Sequence, residues 1–137
     1  MTKLLVDTNI LIYGIDEDSI FYEKSRYILD YSDFQLVTTS KNLVEFLTVV
    51  TRSKGYGLKI AQALEILEEI IQSIQIIYPN QDSLAILLDL TRRYKPSGLK
   101  IHDYDIISIG LAKGVYDVAT FNAKDFKSIN EISLIDL

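Results

Sequence analysis

Short apolar segments alternate along the chain with longer segments of helical composition or periodicity. The apolar segments predict strands at residues 3–6, 35–38, 73–78, 116–120 and 132–135. The intervening patterns predict helices over residues 9–15, 20–30, 41–52, 58–73, 84–94 and 103–113. Strands that alternate with helices at this spacing indicate an α/β fold, with a parallel sheet covered by helices on both faces. No repeat or linker-like stretch interrupts the pattern, so residues 1–137 are expected to form one domain.

The helix predicted over residues 58–73 is unusual because its apolar residues cover most of its circumference. Gln62, Glu65, Glu69 and Gln72 form a polar stripe, and the other faces are almost all Ile, Leu and Ala. One core contact needs an apolar stripe of roughly 100°, so the surplus apolar face predicts a twofold interface and a homodimer. The alternative is a helix that its own domain covers on both faces.

Helix-start signals predict the cap residues of two other helices. Ser40 is a candidate N-cap of the helix over residues 41–52. Asn80 and Asp82 are alternative caps for the helix over residues 84–94, and Asp103 opens the last long helix.

Polar residues follow two of the predicted strands. Asp7, Thr8 and Asn9 come directly after the first strand, and the segment 120–125 follows a late strand. Ligands of parallel α/β sheets bind beyond the carboxyl ends of the strands. If these two strands are neighbours, the two polar clusters meet at one edge of the sheet.

Composition limits the chemistry available to such a site. The chain has no cysteine and one histidine, His102, which excludes thiolate sites and zinc sites built from several imidazoles. A bound metal would therefore take oxygen ligands, as Mg²⁺, Mn²⁺ and Ca²⁺ do. The N-terminal sequence does not resemble a signal peptide, and no apolar run is long enough for a membrane span, so a cytoplasmic protein is expected. The net charge of −5 on its own argues against nucleic-acid binding.

Four acidic residues are candidates for function, and each also has a purely structural interpretation. Asp7 could cap the following helix. Glu45 could lie on a solvated face and pair with Lys41 four residues before it. Asp103 could be a helix cap, and Asp125 could be a solvated loop residue.

Taken together and in this order, these motifs resemble those of the PIN-domain family. The resemblance rests on Asp7-Thr8-Asn9, Glu45, Asp103 and the segment Thr120-x-Asn122-x-x-Asp125-Phe126, and it spans nearly the whole chain. It is closest to the toxin ribonucleases, called VapC, of prokaryotic VapBC toxin–antitoxin pairs. The family resemblance implies a three-layer α/β/α fold with a central, mainly parallel sheet. It also implies Mg²⁺- or Mn²⁺-dependent cleavage of single-stranded RNA, a protein antitoxin and frequent homodimers.

The resemblance also assigns roles. Asp7, Glu45 and Asp103 match the three core acidic positions of the family. The fourth is either position 122, where this chain has asparagine, or Asp125. Asp7 and Asp103 are expected to contact the metal, and Glu45 and Asp125 to bind a metal or orient water for attack on the phosphodiester. Supporting polar groups are expected at Thr8, Asn9, Thr120 and Asn122.

The sequence leaves open which residues bind the RNA phosphates and whether the domain is catalytic. Basic residues near these motifs are candidate phosphate contacts: Arg52, Lys54, Arg92, Arg93 and Lys100. The alternative to a nuclease is a PIN-like module that binds protein or RNA without catalysis.

Overall fold

Five parallel strands form one central sheet in the computed structural model of the protein, which describes residues 1–137. The strands are β1 (Lys3–Val6), β2 (Gln35–Thr39), β3 (Gln75–Ile77), β4 (Asp117–Ala119) and β5 (Ser133–Leu134). Their order is β3-β2-β1-β4-β5, and every neighbouring pair is parallel. The predicted parallel α/β architecture is confirmed.

Seven helices connect the strands and cover both faces of the sheet. They are α1 (Thr8–Tyr13), α2 (Tyr22–Tyr31), α3 (Ser40–Val50), α4 (Ile60–Ile70), α5 (Gln81–Tyr94), α6 (Lys100–Ala112) and α7 (Ala123–Phe126). One apolar core contains buried residues of α1 to α4, and a second contains buried residues of α5 to α7. None of the helices combines the length and apolarity needed to cross a membrane.

Alternate side chains of β1 point to opposite faces of the sheet and so contribute to both cores. Leu4 and Val6 lie in the core beside α1 to α4, whereas Leu5 lies in the core beside α5 to α7. Gly110 lets α6 pack closely on this strand, since a Cβ there would lie 3.3 Å from Leu5 Cδ2. β1 is therefore the buried centre of the molecule, and Asp7, the residue that follows it, is buried as well.

The cap of α3 differs from the sequence prediction. Ser40 is the first helical residue, and the N-cap is Thr39, whose Oγ1 accepts a hydrogen bond from Asn42 N at 3.2 Å. The prediction of Ser40 was wrong because Thr39, the last residue of β2, has the extended backbone that lets its side chain reach that N–H. In α5 the cap is Asn80 rather than Asp82.

The start of α6 also differs. The helix begins at Lys100, so Asp103 lies within its first turn and does not cap it. The capping interpretation of Asp103 is therefore wrong. Likewise, Asp125 belongs to the short helix α7, where a loop or turn was expected.

The apolar surplus of α4 is not covered within the chain. Ala63 and Leu67 are buried, but Ile60 and Leu64 have exposed fractions of 57% and 42%. A helix covered by its own domain on both faces is therefore not what the structure shows.

Candidate active site

The ends of β1 and β4 bring the two predicted polar clusters together. The strands are adjacent, with Val6 paired to Ala119, and Asp7 N donates a hydrogen bond to Ala119 O at 3.0 Å. The residues after these strands, Asp7 and Thr120, therefore lie side by side. Thr120 Oγ1 donates a 2.8 Å hydrogen bond to Asp7 Oδ2. This is the edge of the sheet at which ligands of open parallel α/β folds bind.

Asp7 is buried, with an exposed fraction of 8%, and accepts hydrogen bonds from several directions. Its Oδ1 accepts from Thr8 N at 2.8 Å, so Asp7 caps α1. The side-chain amides of Asn9 and Asn42 approach the two carboxylate oxygens at 3.5 Å. The structural and functional interpretations of Asp7 are thus compatible, because capping α1 orients the carboxylate at the strand end.

Asn9 and Thr120 link the two segments that form the site. Asn9 Nδ2 donates to Thr120 Oγ1 at 3.2 Å, and Asn9 Oδ1 accepts from Phe121 N at 3.3 Å. Thr120 Oγ1 also accepts from Asn122 N at 3.0 Å. Asn122 thus participates through its backbone, and its side chain is exposed.

Asn42 is a site neighbour that the sequence analysis missed. It is fully buried, and its Nδ2 donates to Thr8 Oγ1 at 3.0 Å. Its Oδ1 accepts from Thr39 Oγ1 at 2.7 Å and from Thr39 N at 3.1 Å. The available signal was the pair Thr39-x-x-Asn42, a variant of the capping box with asparagine in the third helical position. That box places the amide at the same sheet edge as Asp7.

Three further carboxyl groups lie near Asp7, one from each of three helices. Glu45 comes from α3 and is exposed, whereas Asp103 of α6 and Asp125 of α7 are half-buried. Burial raises the pKa of Asp7, and the charges of Glu45 and Asp125 raise it further, against hydrogen bonds from Thr120 and Thr8 that lower it. The four carboxyl groups therefore lie close enough to affect one another.

The pKa of Asp103 shows the same crowding. Burial, followed by the charges of Asp7, Asp125 and Glu45, raises it to about 6. Lys100 acts in the opposite direction, so this lysine also lies near the site. Of the two alternatives for the fourth position, Asp125 is the residue whose charge reaches both Asp7 and Asp103.

Several basic residues have other neighbours than those expected. Lys41 does not pair with Glu45, because its Nζ lies 2.9 Å from Asp105 Oδ2 on α6. Arg93 pairs with Asp89 and Glu131, at 2.9 Å and 2.5 Å, so two carboxylates already neutralise its charge.

The other candidate phosphate contacts are exposed. Arg52 and Lys54 follow the C-terminus of α3, whereas Asn42 and the site lie at its N-terminal end. Arg92 is exposed in the last turn of α5.

The donor set of the site consists of oxygen atoms, the type preferred by Mg²⁺ and Mn²⁺. As the side chains stand, no group of three or more His, Cys, Asp or Glu residues is arranged to hold a metal ion. Mutual repulsion keeps four ionised carboxylates apart when no cation neutralises them. The residues therefore fit a hard divalent cation by donor type and charge.

Residues 4–132 match the PIN domain family, and the chain belongs to that family. No curated protein sequence matches the chain. Among solved structures, VapBC2 from Rickettsia felis bound to a DNA fragment from its promoter is 22% identical, with a TM-score of 0.77 and 99% of each chain covered. DNA-bound VapBC from Salmonella typhimurium is 23% identical, with a TM-score of 0.72 and coverage of 99% of this chain and 98% of that one.

A third similar structure is VapC20 from Mycobacterium tuberculosis, described as a toxin that cleaves the sarcin-ricin loop. It is 12% identical, with a TM-score of 0.72 and coverage of 92% of this chain and 95% of that one. The TM-scores of these structures establish a shared fold, and the family match confirms the resemblance found in the sequence.

Proposed function

We propose that this PIN-domain protein is a divalent-metal-dependent endoribonuclease that cleaves single-stranded RNA and acts in the cytoplasm as the toxin of a toxin–antitoxin pair. One observation carries the proposal: the carboxyl groups of Glu45, Asp103 and Asp125, from distant parts of the chain, lie near the buried Asp7 at the carboxyl edge of the sheet. The domain, residues 1–137, is proposed to act as one nuclease unit.

The electrostatics of the cluster support a bound cation. Burying Asp7 among other carboxylates disfavours its charged form, which is why its pKa rises. Such perturbed groups concentrate at functional sites because a ligand offsets their cost. We assign Mg²⁺ or Mn²⁺ as the ligand, with Asp7 and Asp103 as direct ligands and Glu45 and Asp125 as further ligands or as acceptors for ordered water.

The chemistry follows from these assignments. A bound divalent cation supplies water activation and stabilisation of the charge that develops on the phosphate. Thr120, Asn9 and Asn42 hold the Asp7 carboxylate in one orientation. Glu45 is exposed at the rim and can accept a hydrogen bond from the attacking water. Water adds to phosphorus and gives up one proton to solvent or to the Glu45 carboxylate, the bond to the 3′-oxygen breaks, and the leaving oxygen takes up a proton in exchange.

The test is cleavage of an unstructured RNA by purified protein with Mn²⁺, with Mg²⁺ and with chelator. We expect cleavage by wild type with metal only, and none by Asp7→Asn. Asp33→Asn is the matched control, because Asp33 is exposed just before β2 and so lies at the opposite edge of the sheet. RNA binding by wild type without cleavage in any metal would instead establish the non-catalytic binding module.

The partners are proposed from two observations. The similar structures include complexes of toxins with antitoxins, so a short antitoxin reading frame is expected beside this gene, and its product should block cleavage. The exposed apolar face of α4, with Ile60 and Leu64, supports a homodimer, since twofold interfaces are the commonest way to bury such a face. A monomeric mass by light scattering at micromolar concentration would contradict the dimer.

A further inference from the structure

A cleft of about 560 Å³ opens between α3 and α6 directly beside Glu45. Its volume falls within the range that accommodates small organic ligands. Its lining consists of five residues from α3 and two from α6: Ser40, Lys41, Val44, Glu45, Thr48, His102 and Ile106.

The helical spacing of the lining residues makes the cleft a continuation of the proposed active site. Lys41, Glu45 and Thr48 are separated by four and three positions, so they share one face of α3. His102, which precedes Asp103, supplies the facing wall from the first turn of α6. A polymer bound at Glu45 therefore has the cleft as its adjoining surface.

The cleft carries the donors that an anionic polymer needs. The side chain of Lys41 is 48% exposed, and Asp105 holds its ammonium group at 2.9 Å. An ammonium group has three N–H donors, so donors remain for a second anionic partner. Val44 is 65% exposed and offers an apolar surface on the same wall.

We propose that this cleft binds the nucleotide next to the scissile phosphodiester, with Lys41 contacting its phosphate and His102 and Val44 flanking its base or ribose. Asp105 is a positioning residue, because it sets the place of Lys41 and offsets part of its charge. This inference rests on the proposed function, since it assumes a single-stranded RNA substrate.

The experiment compares Lys41→Gln, Asp105→Asn and the double variant with wild type. The double variant has the net charge of wild type and lacks only the ion pair, so it separates the Lys41 contact from the overall charge. Lys113→Gln is the control, an exposed lysine just past the opposite end of α6. KM and kcat are measured with Mn²⁺ on unstructured RNA, and the affinity for a short single-stranded oligoribonucleotide is measured over a salt series.

Lys41→Gln is expected to raise KM and Kd about 3- to 10-fold, the loss of one typical hydrogen bond at a solvent-exposed site, with kcat unchanged. The slope of log affinity against log salt should fall by about 0.7, as for the loss of one phosphate contact on a single strand. Asp105→Asn should tighten binding, since Lys41 keeps an acceptor and regains its full charge. The double variant should remain as weak as Lys41→Gln.

The outcomes separate this inference from the proposed function. A double variant that binds like wild type, or a salt slope that is the same in every variant, would overturn the phosphate contact while cleavage by wild type still supports the nuclease. Binding that depends on Lys41 in a protein that cleaves no RNA would support the cleft and contradict the nuclease. A wild type that neither binds nor cleaves RNA would overturn both.

Discussion

Two parts of the candidate site are held in different ways. Asp7 lies in a buried hydrogen-bond network that includes Thr8, Asn42 and Thr120. Glu45, by contrast, lies on the rim, is exposed, and pairs with no cation. Asp103, also on the rim, has a pKa raised to about 6 by burial and by the neighbouring carboxylates.

This contrast shows that hydrogen bonds within the fold fix the position of Asp7. The positions of the rim carboxylates depend instead on the charges around them. Asp7 keeps its orientation because donors from α1, from α3 and from Thr120, just after β4, converge on it. The rim carboxylates come from separate helices and repel one another, so their arrangement depends on what neutralises them. The predictions below test this division, from the largest expected effect to the smallest.

Asn42→Ala should damage the buried network most. It leaves the Thr39 N–H without its side-chain acceptor and the Thr8 hydroxyl without its donor, which costs about 1–3 kcal/mol in the free energy of unfolding. RNA cleavage should fall about 10- to 100-fold, as when an outer support of a metal ligand is removed. Urea unfolding and cleavage rates measure the two effects.

Asn80→Ala is the control for that variant. Asn80 caps α5 in a similar capping box, so its loss should cost about 1 kcal/mol of stability. Its cleavage rate should match that of wild type. If both variants lose activity equally, the effect of Asn42→Ala is one of stability and not of the Asp7 network.

Divalent cations should stabilise the folded protein by relieving the repulsion at the rim. At a Mn²⁺ concentration 100 times its Kd, the gain in unfolding free energy is about 2.7 kcal/mol. Asp103→Asn should lose most of this gain, whereas the Asp33→Asn control should keep it. An equal gain in all three proteins, measured by urea unfolding with Mn²⁺ or with chelator, would place the cation elsewhere.

Without metal, Asp103 should make stability depend on pH in a defined direction. Its pKa is raised to about 6 from the ordinary 3.8, so the folded state holds this proton when the unfolded state has released it. Its contribution to stability therefore decreases as pH rises from about 4 through 6. Asp7, with its raised pKa, acts in the same direction.

The measurement is the difference in unfolding free energy between Asp103→Asn and wild type, taken in chelator at pH 4 and pH 7.5. Groups such as Glu131, whose pKa is lowered, cancel in this difference. We expect the variant to gain stability relative to wild type at pH 7.5. A difference independent of pH would show that Asp103 is not under carboxylate repulsion.

Arg93→Gln should have the smallest effect on function. Arg93 is held by Asp89 and Glu131 and lies near the ring of Tyr94, so we expect these partners to compete with any phosphate. RNA affinity and its salt dependence should stay at the wild-type values. A reduced salt slope would restore Arg93 as a phosphate contact.

Local patterns in the sequence were sufficient to predict the architecture. The apolar run that forms β1 was predicted with its observed bounds, Lys3–Val6. The spacing of apolar residues that distinguishes a strand from a helix is a local property. The order of elements therefore follows from short stretches of sequence. The position of Asp7 after β1 likewise placed it at the carboxyl edge of a parallel sheet.

Contacts between distant residues could not be predicted in this way. Lys41 has Glu45 one turn away, yet it pairs with Asp105 because α6 packs beside α3. Arg93 has Asp89 within its own helix, but its second partner, Glu131, lies far along the chain. A helical wheel shows only the neighbours within one helix.

By itself, the sequence determined the alternation of strands and helices, the absence of thiolate ligands and the candidate acids. The tertiary structure alone decided that β1 and β4 are neighbours, so that Thr120 reaches Asp7, and that Asn42 joins them. The physical reason is that strand pairing is set by how all the helices cover the sheet. That packing depends on the whole chain at once and not on any one segment.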